Sequence, residues 1–170
     1  MKRIILVICL FSVAGVSALA ADFYSGNKIL SLIRKAVQDK NLEIETDYGL
    51  METPEDGYRM HVYAFRKDGT SETQFAVFTE AKGRYDLFDY LVITDHEGVV
   101  QKVQVIKYRS EHGGEIASRK WLMQFENYRG GELQYGEDIS AISGATLSAG
   151  SITRNMPVVV DLLKRKVINR

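Results

Sequence analysis

The chain has 170 residues, of which 45% are hydrophobic and 26% charged, and its 22 Lys and Arg side chains balance 22 Asp and Glu side chains. This length favours a single domain that buries most of its apolar surface, and the balanced charge argues against nucleic acid as a partner. The single cysteine, Cys9, excludes a disulfide framework, a cysteine zinc cluster and an iron–sulfur centre held within this chain.

The first 20 residues have the pattern of an export signal. Two basic residues precede an apolar run from Ile4 to Val16, and Ala18 and Ala20 supply the small residues of a signal peptidase site. A retained anchor is the alternative, because the uncharged stretch of 18 residues is marginal for spanning a membrane. We expect residues 1–20 to be a cleaved signal peptide and residues 21–170 to form the exported domain. That domain keeps 20 basic and 22 acidic side chains and no cysteine.

Periodicity predicts one helix followed by strands in the first half of the domain. Asn27–Lys40 has apolar residues at helical spacing, and Pro54–Gly57 marks a turn. Alternating or β-rich runs predict strands over Tyr58–Phe65, Gln74–Glu80, Tyr90–Thr94 and Val99–Tyr108. The last two flank Asp95–Gly98 and predict a hairpin. Because polar residues alternate with valines in the second of them, we expect a sheet with one face in water.

The second half of the domain predicts two helices separated by a polar loop. Ser118–Tyr128 reads as a short helix with Ser118 as its cap, and Ser148–Lys166 is helical in pattern. Pro157 leaves two alternatives, a single bent helix or a second helix capped by Asn155. This order predicts an α+β fold, a single domain with a mostly antiparallel twisted sheet and flanking helices.

Small and hydroxyl-bearing residues lead into the last predicted helix. Gly144 and Ala145 allow the backbone to approach a ligand closely. The free N–H groups and positive end of a helix favour an anion there, typically phosphate. Ser143, Thr146 and Ser148 add hydroxyl donors, and a hydroxyl at this position could itself be esterified. The alternative is an ordinary capping loop with no ligand.

The stretch Ser143-Gly-Ala-Thr-Leu-Ser148 resembles the S-G-A-T-x-[ST] motif of the FMN-binding domain in the RnfG and NqrC subunits of redox-driven ion pumps. Small exported flavin carriers share that domain. In that family the threonine carries FMN through a phosphoester bond that a dedicated flavin transferase installs. By resemblance, Thr146 is the covalent attachment residue. The same resemblance implies that Ser143, Gly144, Ala145, Leu147 and Ser148 bind the cofactor around it.

The resemblance extends upstream and covers about residues 83–165. Asp95–Val100 resembles the family's hairpin, and Tyr108–Ile116 is similar to its glutamate–glycine loop. By family position, the members of that loop expected to bind the flavin are Glu111, His112, Gly113 and Gly114. One departure concerns loading, because the transferase recognition pattern has an aspartate where this chain has Ser140, and the nearest acid, Asp138, comes two residues earlier.

The resemblance implies an exported FMN-dependent electron carrier, periplasmic or on the outer face of the cytoplasmic membrane. Its expected partners are the flavin transferase and a membrane redox protein, and we expect a carrier or redox-complex subunit more than a stand-alone enzyme. The alternative is a binding or scaffold module of the same fold that binds flavin non-covalently or not at all.

The remaining candidate residues do not indicate a metal centre or a catalytic site elsewhere in the chain. His61, His96 and His112 are far apart in the sequence, so we expect no metal centre. We assign no catalytic acid–base residue. Trp121 is expected in the core more than against a flavin ring, and Asp86 and Asp89 are expected to be solvated.

Overall fold

The computed structural model describes residues 24–170. The helices and strands in chain order are α1 Gly26–Val37, β1 Glu43–Glu52, β2 Arg59–Arg66, β3 Thr73–Lys82, β4 Leu87–Thr94, β5 Val100–Lys107, α2 Arg119–Leu122 and α3 Thr146–Leu163. Short 3₁₀ turns flank α2, and a π-helical turn follows α3. The predicted signal peptide lies outside the described residues. Within them, no helix is both long and apolar enough to cross a membrane.

The five strands form one antiparallel sheet in the order β1-β2-β3-β4-β5. Each strand therefore pairs with its neighbours in the chain, which requires only short connections. The predicted strands and hairpin are confirmed as β2 to β5, with ends that differ by a few residues. The predicted α+β class, with an antiparallel sheet and flanking helices, is confirmed.

The sheet is covered on both faces. Alternate residues of the strands pack with α3 and the segment around α2 on one face, and the other residues pack with α1 on the opposite face. On β2, for example, Val62 faces α3 while Phe65 faces α1. The prediction of one wet face is therefore wrong for the middle strands. Burial on both sides explains why β3 and β4 read as almost continuous apolar runs.

β1 was not predicted from the sequence. Its pairing with β2 shifts register twice, between Ile44 and Thr46 and between Asp47 and Leu50. Each irregularity inserts extra residues into one strand, which breaks the alternation of polar and apolar side chains. The strand is also an edge of the sheet and only partly buried. Its sequence therefore carries little of the periodic signal by which strands are recognised.

The last helix is continuous through its proline. α3 contains Pro157 in its interior, which decides between the two alternatives in favour of a single helix. Asn155 does not cap a second helix. Its side-chain Nδ2 donates to the carbonyl oxygen of Glu80 at 2.8 Å and to the hydroxyl of Tyr90 at 2.9 Å. This buried amide ties α3 to β3 and β4.

The helix predicted over Ser118–Tyr128 is much shorter in the structure. α2 has four residues and passes into a 3₁₀ turn that ends at Phe125. Glu126 is extended, with ψ at 140°, so the helical path ends after Phe125, and Asn127 then has a positive φ of 67°. Ser118 precedes the helix without a capping hydrogen bond from its side chain. The predicted apolar face is nevertheless buried, and it includes Trp121.

Two carboxylates lie side by side on the α1 face of the sheet. Glu80 and Asp89 are opposite each other in the pairing of β3 with β4 and are 4% and 2% exposed. Arg59 Nε lies 3.1 Å from Glu80 Oε2, and Arg109 Nη2 lies 2.7 Å from Asp89 Oδ2. The Tyr24 hydroxyl also donates to Asp89 at 2.7 Å. The expectation that Asp89 is solvated is therefore wrong, because two hydrogen-bonded partners hold it inside.

Candidate functional site

A cleft of about 200 Å³ opens where the loop after β5 meets the start of α3. Its lining comes from three separate parts of the chain: Arg84, Tyr108, His112, Gly113, Gly144, Ala145, Thr146, Leu147 and Ser148. The sheet brings them together because β3, β4 and β5 are adjacent and α3 packs across them. Two of the segments that the sequence analysis selected therefore meet at one site.

The N-terminal end of α3 forms one wall of this cleft. Ala145 is the N-cap residue and offers no side-chain acceptor. Within residues 24–170, no hydrogen bond engages the backbone N–H groups of Thr146, Leu147 or Ser148. The first turn also carries no acidic side chain. These N–H groups and the positive end of an 18-residue helix are therefore available to an anion.

The hydroxyls of the motif differ in their exposure. Thr146 is exposed at the first position of α3, and its hydroxyl has no hydrogen bond to any described residue. Leu147 beside it is 62% exposed. Ser148 is 1% exposed, and its Oγ lies 2.9 Å from the Tyr108 hydroxyl. Of the hydroxyls that line the cleft, that of Thr146 is therefore free to react, whereas that of Ser148 is held in the structure.

Tyr108 connects the two loops that form the cleft. Its hydroxyl donates to the carbonyl oxygen of His112 at 2.9 Å. Because a phenol has one proton to donate, Ser148 must donate to Tyr108 in their hydrogen bond. The ring packs against Phe88 with centroids 5.5 Å apart. Tyr108 thus fixes the spacing between α3 and the loop at residues 111–114, which we call the glycine loop.

Gly113 allows this close approach. Its φ is +93°, and a Cβ at this position would lie 2.4 Å from the Tyr108 hydroxyl oxygen. A side chain would therefore meet both backbone strain and a direct clash. The adjacent Gly114 has open space around it and no such restriction. Gly113, and not Gly114, is therefore the glycine that the geometry of the cleft requires.

Opposite charges border the cleft. Arg84 lines it from the turn between β3 and β4, and its guanidinium lies over the ring of Tyr85 at 5.3 Å. Arginine is well suited to bind phosphate oxygens. The Glu115 carboxylate, which does not itself line the cleft, lies close to Gly144, with its oxygens 3.0 Å from where a Cβ would stand. A cation therefore lines the cleft, and an anion lies against one of its lining residues. Asp86, which ends the same turn as Arg84, is exposed as predicted.

The segment that precedes the motif is held by the core. Trp121 Nε1 donates to the carbonyl oxygen of Ser140 at 2.7 Å, and the Ser140 N–H donates to Gln124 Oε1 at 2.8 Å. Trp121 is 6% exposed and packs edge-on against Phe125, so its predicted place in the core is confirmed. The Asp138 carboxylate accepts a hydrogen bond from a backbone N–H in its own loop.

The structure separates the predicted site residues into two groups. Those that line the cleft are His112, Gly113, Gly144, Ala145, Thr146, Leu147 and Ser148, whereas Ser143, Glu111 and Gly114 do not line it. Sequence reasoning missed the roles of Arg84, Tyr108 and Glu115. Tyr108 and Glu115 both lie within Tyr108–Ile116, the stretch that resembles the family's loop, and Tyr108 also ends a predicted strand. The place of Arg84 depends on how β3 and β4 pair, which has no local signature.

Comparison with protein-family models finds no match, and comparison with curated protein sequences finds none. The described residues also contain no group of three or more His, Cys, Asp and Glu side chains placed to hold a metal ion. Among them, His61 is buried in the sheet and bonds to Asp47 at 2.5 Å. The functional argument therefore depends on the chemistry of the cleft.

Proposed function

We propose that this protein is an exported electron carrier that binds FMN in the cleft at the start of α3, with the flavin phosphate esterified to Thr146. The observation that carries the proposal is the meeting of the glycine loop with the free first turn of a helix. The two segments are far apart in the sequence, and a family resemblance selected each of them independently of the fold. An exposed threonine hydroxyl lies at their junction.

The cleft fits the phosphate end of FMN. Three free backbone N–H groups, the positive end of α3 and the Arg84 guanidinium supply donors for phosphate oxygens. The volume of about 200 Å³ is smaller than that of a pocket that encloses a whole cofactor. A covalent bond would compensate for this, because it holds the flavin without requiring a deep pocket. The ester would join Thr146 Oγ1 to the phosphorus of FMN. The transferase would take the FMN group from a flavin dinucleotide by breaking its pyrophosphate bond, so that AMP leaves and the threonine hydroxyl proton is released.

The residues of the cleft would have distinct roles toward the flavin. The isoalloxazine ring of bound FMN supplies the electron-transfer chemistry, and the protein sets its position and access. Arg84 would neutralise the phosphate, and Tyr108 would keep His112 and Gly113 at a fixed distance from α3. Glu115 would place a negative charge beside the cofactor, which disfavours added electrons.

Location and partners are part of the proposal. The pattern in residues 1–20 supports export, after which the protein meets neither cytosolic nucleotide pools nor a reserve of free FMN. Attachment to Thr146 would keep the cofactor from diffusing away. A flavin transferase would load the domain, and a membrane redox protein would supply its electrons.

Ser140 motivates the alternative, a module of the same fold that binds flavin non-covalently or not at all. The family's recognition pattern has an aspartate at this position, and Asp138 is occupied by a hydrogen bond within its own loop. If the transferase requires that carboxylate, Thr146 would stay unmodified. Ser140→Asp is then expected to raise the loaded fraction.

The test is co-expression of the full chain with the flavin transferase encoded by its own organism. We expect the denatured protein to fluoresce as flavin on a gel and to gain the mass of FMN less one water. Thr146→Ala should lose both signals, whereas Thr70→Ala should keep them because Thr70 is an exposed threonine that does not line the cleft. Flavin that washes off on denaturation would support non-covalent binding. Wild-type protein without any flavin would refute the proposal.

A further inference from the structure

A groove of about 320 Å³ follows the outer edge of β5. Its lining includes the four consecutive residues 102–105 of that strand, together with Lys35 of α1 and Arg119 and Leu122 of α2. Consecutive side chains of a strand point to opposite faces of the sheet. A groove that touches four residues in a row must therefore lie along the edge of the strand, between the helices that cover the two faces.

The backbone along this edge is open. β5 is the last strand of the sheet and pairs with β4 on its inner side. On its outer side, Val100 exchanges hydrogen bonds of 2.9 and 2.7 Å with Tyr128 and Asn127. From residue 101 to 107, no further backbone hydrogen bond connects that edge to the described part of the chain. Open N–H and C=O groups of this kind accept an additional strand.

Positive charge converges on the groove. Lys35, Lys102 and Arg119 come from three different elements, and no acidic residue lines the groove with them. Within residues 24–170, none of the three forms an ion pair, and Lys102 Nζ donates to the carbonyl oxygen of Ala36 at 2.6 Å. The chain as a whole has equal numbers of acidic and basic side chains. This concentration of unpaired cations therefore favours an anionic partner.

We propose that the β5 edge is a docking site for an extended acidic segment of a partner protein, which adds to the sheet as a sixth strand. The segment's backbone would pair with residues 101–107. Its acidic side chains would meet Lys35 and Lys102 on one face and Arg119 on the other. Val103, Val105 and Leu122 would provide apolar contact. This proposal stands apart from the flavin proposal, since no residue lines both the groove and the cleft.

A second copy of this chain is a poorer occupant. Its acidic edge strand, β1, has two register shifts that interrupt regular pairing. The carboxylates of Glu45 and Asp47 already pair with Arg66 and His61. Joining β1 of one copy to β5 of the next would also be a head-to-tail contact, which continues into fibres unless it closes into a ring.

The test measures the binding of a fluorescein-labelled peptide of five Glu-Val repeats, blocked at both ends, to the full chain at neutral pH. A peptide of five Lys-Val repeats is the matched control. We expect the acidic peptide to bind at least about tenfold more tightly and to weaken as salt is added. Hydrogen exchange of the wild-type protein should slow in residues 101–107 when the acidic peptide is present. Equal binding of the two peptides, or protection elsewhere, would overturn the proposal.

Charge reversal locates the site. The double variant Lys35→Glu with Arg119→Glu should bind the acidic peptide about tenfold more weakly, since it reverses two exposed cations. Lys40→Glu is the control, because Lys40 is exposed but does not line the groove, and it should change the affinity less than about twofold. An unchanged affinity in the double variant would contradict the proposal. Self-association that the double variant abolishes would point to a second copy instead.

Discussion

Gly113→Ala tests the geometry of the cleft with a single added methyl group. The substitution places a Cβ in a left-handed conformation, with φ at +93°, which costs about 1–2 kcal/mol for an alanine. The Cβ would also lie 2.4 Å from the Tyr108 hydroxyl oxygen and 3.3 Å from its Cζ. If the tyrosine moves aside, its hydrogen bonds to His112 and Ser148 are lost at about 1 kcal/mol each. The variant should therefore lose about 3–4 kcal/mol of unfolding free energy.

The assay is urea unfolding of Gly113→Ala beside Gly114→Ala. Gly114 has nothing within 4 Å of its Cβ position and no positive φ, so its substitution should change the unfolding free energy by less than about 1 kcal/mol. A melting temperature about 6–16 °C lower is expected for Gly113→Ala alone. Covalent flavin loading should fall in the same variant, because the loop that faces Thr146 is displaced.

A second substitution separates the clash from the strain. Adding Tyr108→Phe to Gly113→Ala removes the hydroxyl oxygen that the methyl group meets, while the left-handed strain remains. The double variant should therefore be less destabilised than the sum of the two single variants, by about 1–2 kcal/mol. Strict additivity, or equal stability of the Gly113 and Gly114 variants, would refute the reasoning.

Three further predictions concern groups outside the cleft. Asp89→Asn should lower the unfolding free energy by about 2 kcal/mol, because it leaves Arg109, whose side chain is 31% exposed, without its carboxylate. A change under about 0.5 kcal/mol would contradict this. Asn155→Ala should lower the unfolding free energy by about 2–3 kcal/mol, because it removes the buried hydrogen bond to Glu80. Thr153→Val, equally buried on α3, should lower it by less than about 1 kcal/mol, because the Thr153 hydroxyl bonds only within the helix. Burial raises the pKa of Tyr128 from 10.0 to about 12. The contribution of Tyr128 to the unfolding free energy should therefore be fully present below about pH 10 and be lost as the pH rises toward 12. Tyr128→Phe should make that fall shallower in urea titrations, and an unchanged slope would refute the assignment.

Local periodicity predicted most of the sheet because those strands carry their own signal. β2 to β5 are rich in β-branched and aromatic residues and are separated by turn residues such as Gly98, which has a positive φ. β1 lacks this signal because its two bulges disrupt the alternation. The polar residues of β5 suggested a wet face, but α1 covers the opposite face of the neighbouring strands. Which helix covers which face depends on packing between distant segments.

Sequence alone determined where the candidate chemistry lies. Small residues and hydroxyls before a helix start predict a site for an anion, because the local backbone creates one wherever it folds. Within that stretch, the family resemblance selected Thr146. Only the tertiary structure decided which side chains surround it. Tyr108 bonds to Ser148 40 residues away, and Arg84 reaches the same cleft from another turn. Such contacts depend on strand register and helix packing. The local sequence around each of these residues therefore does not indicate its distant partner.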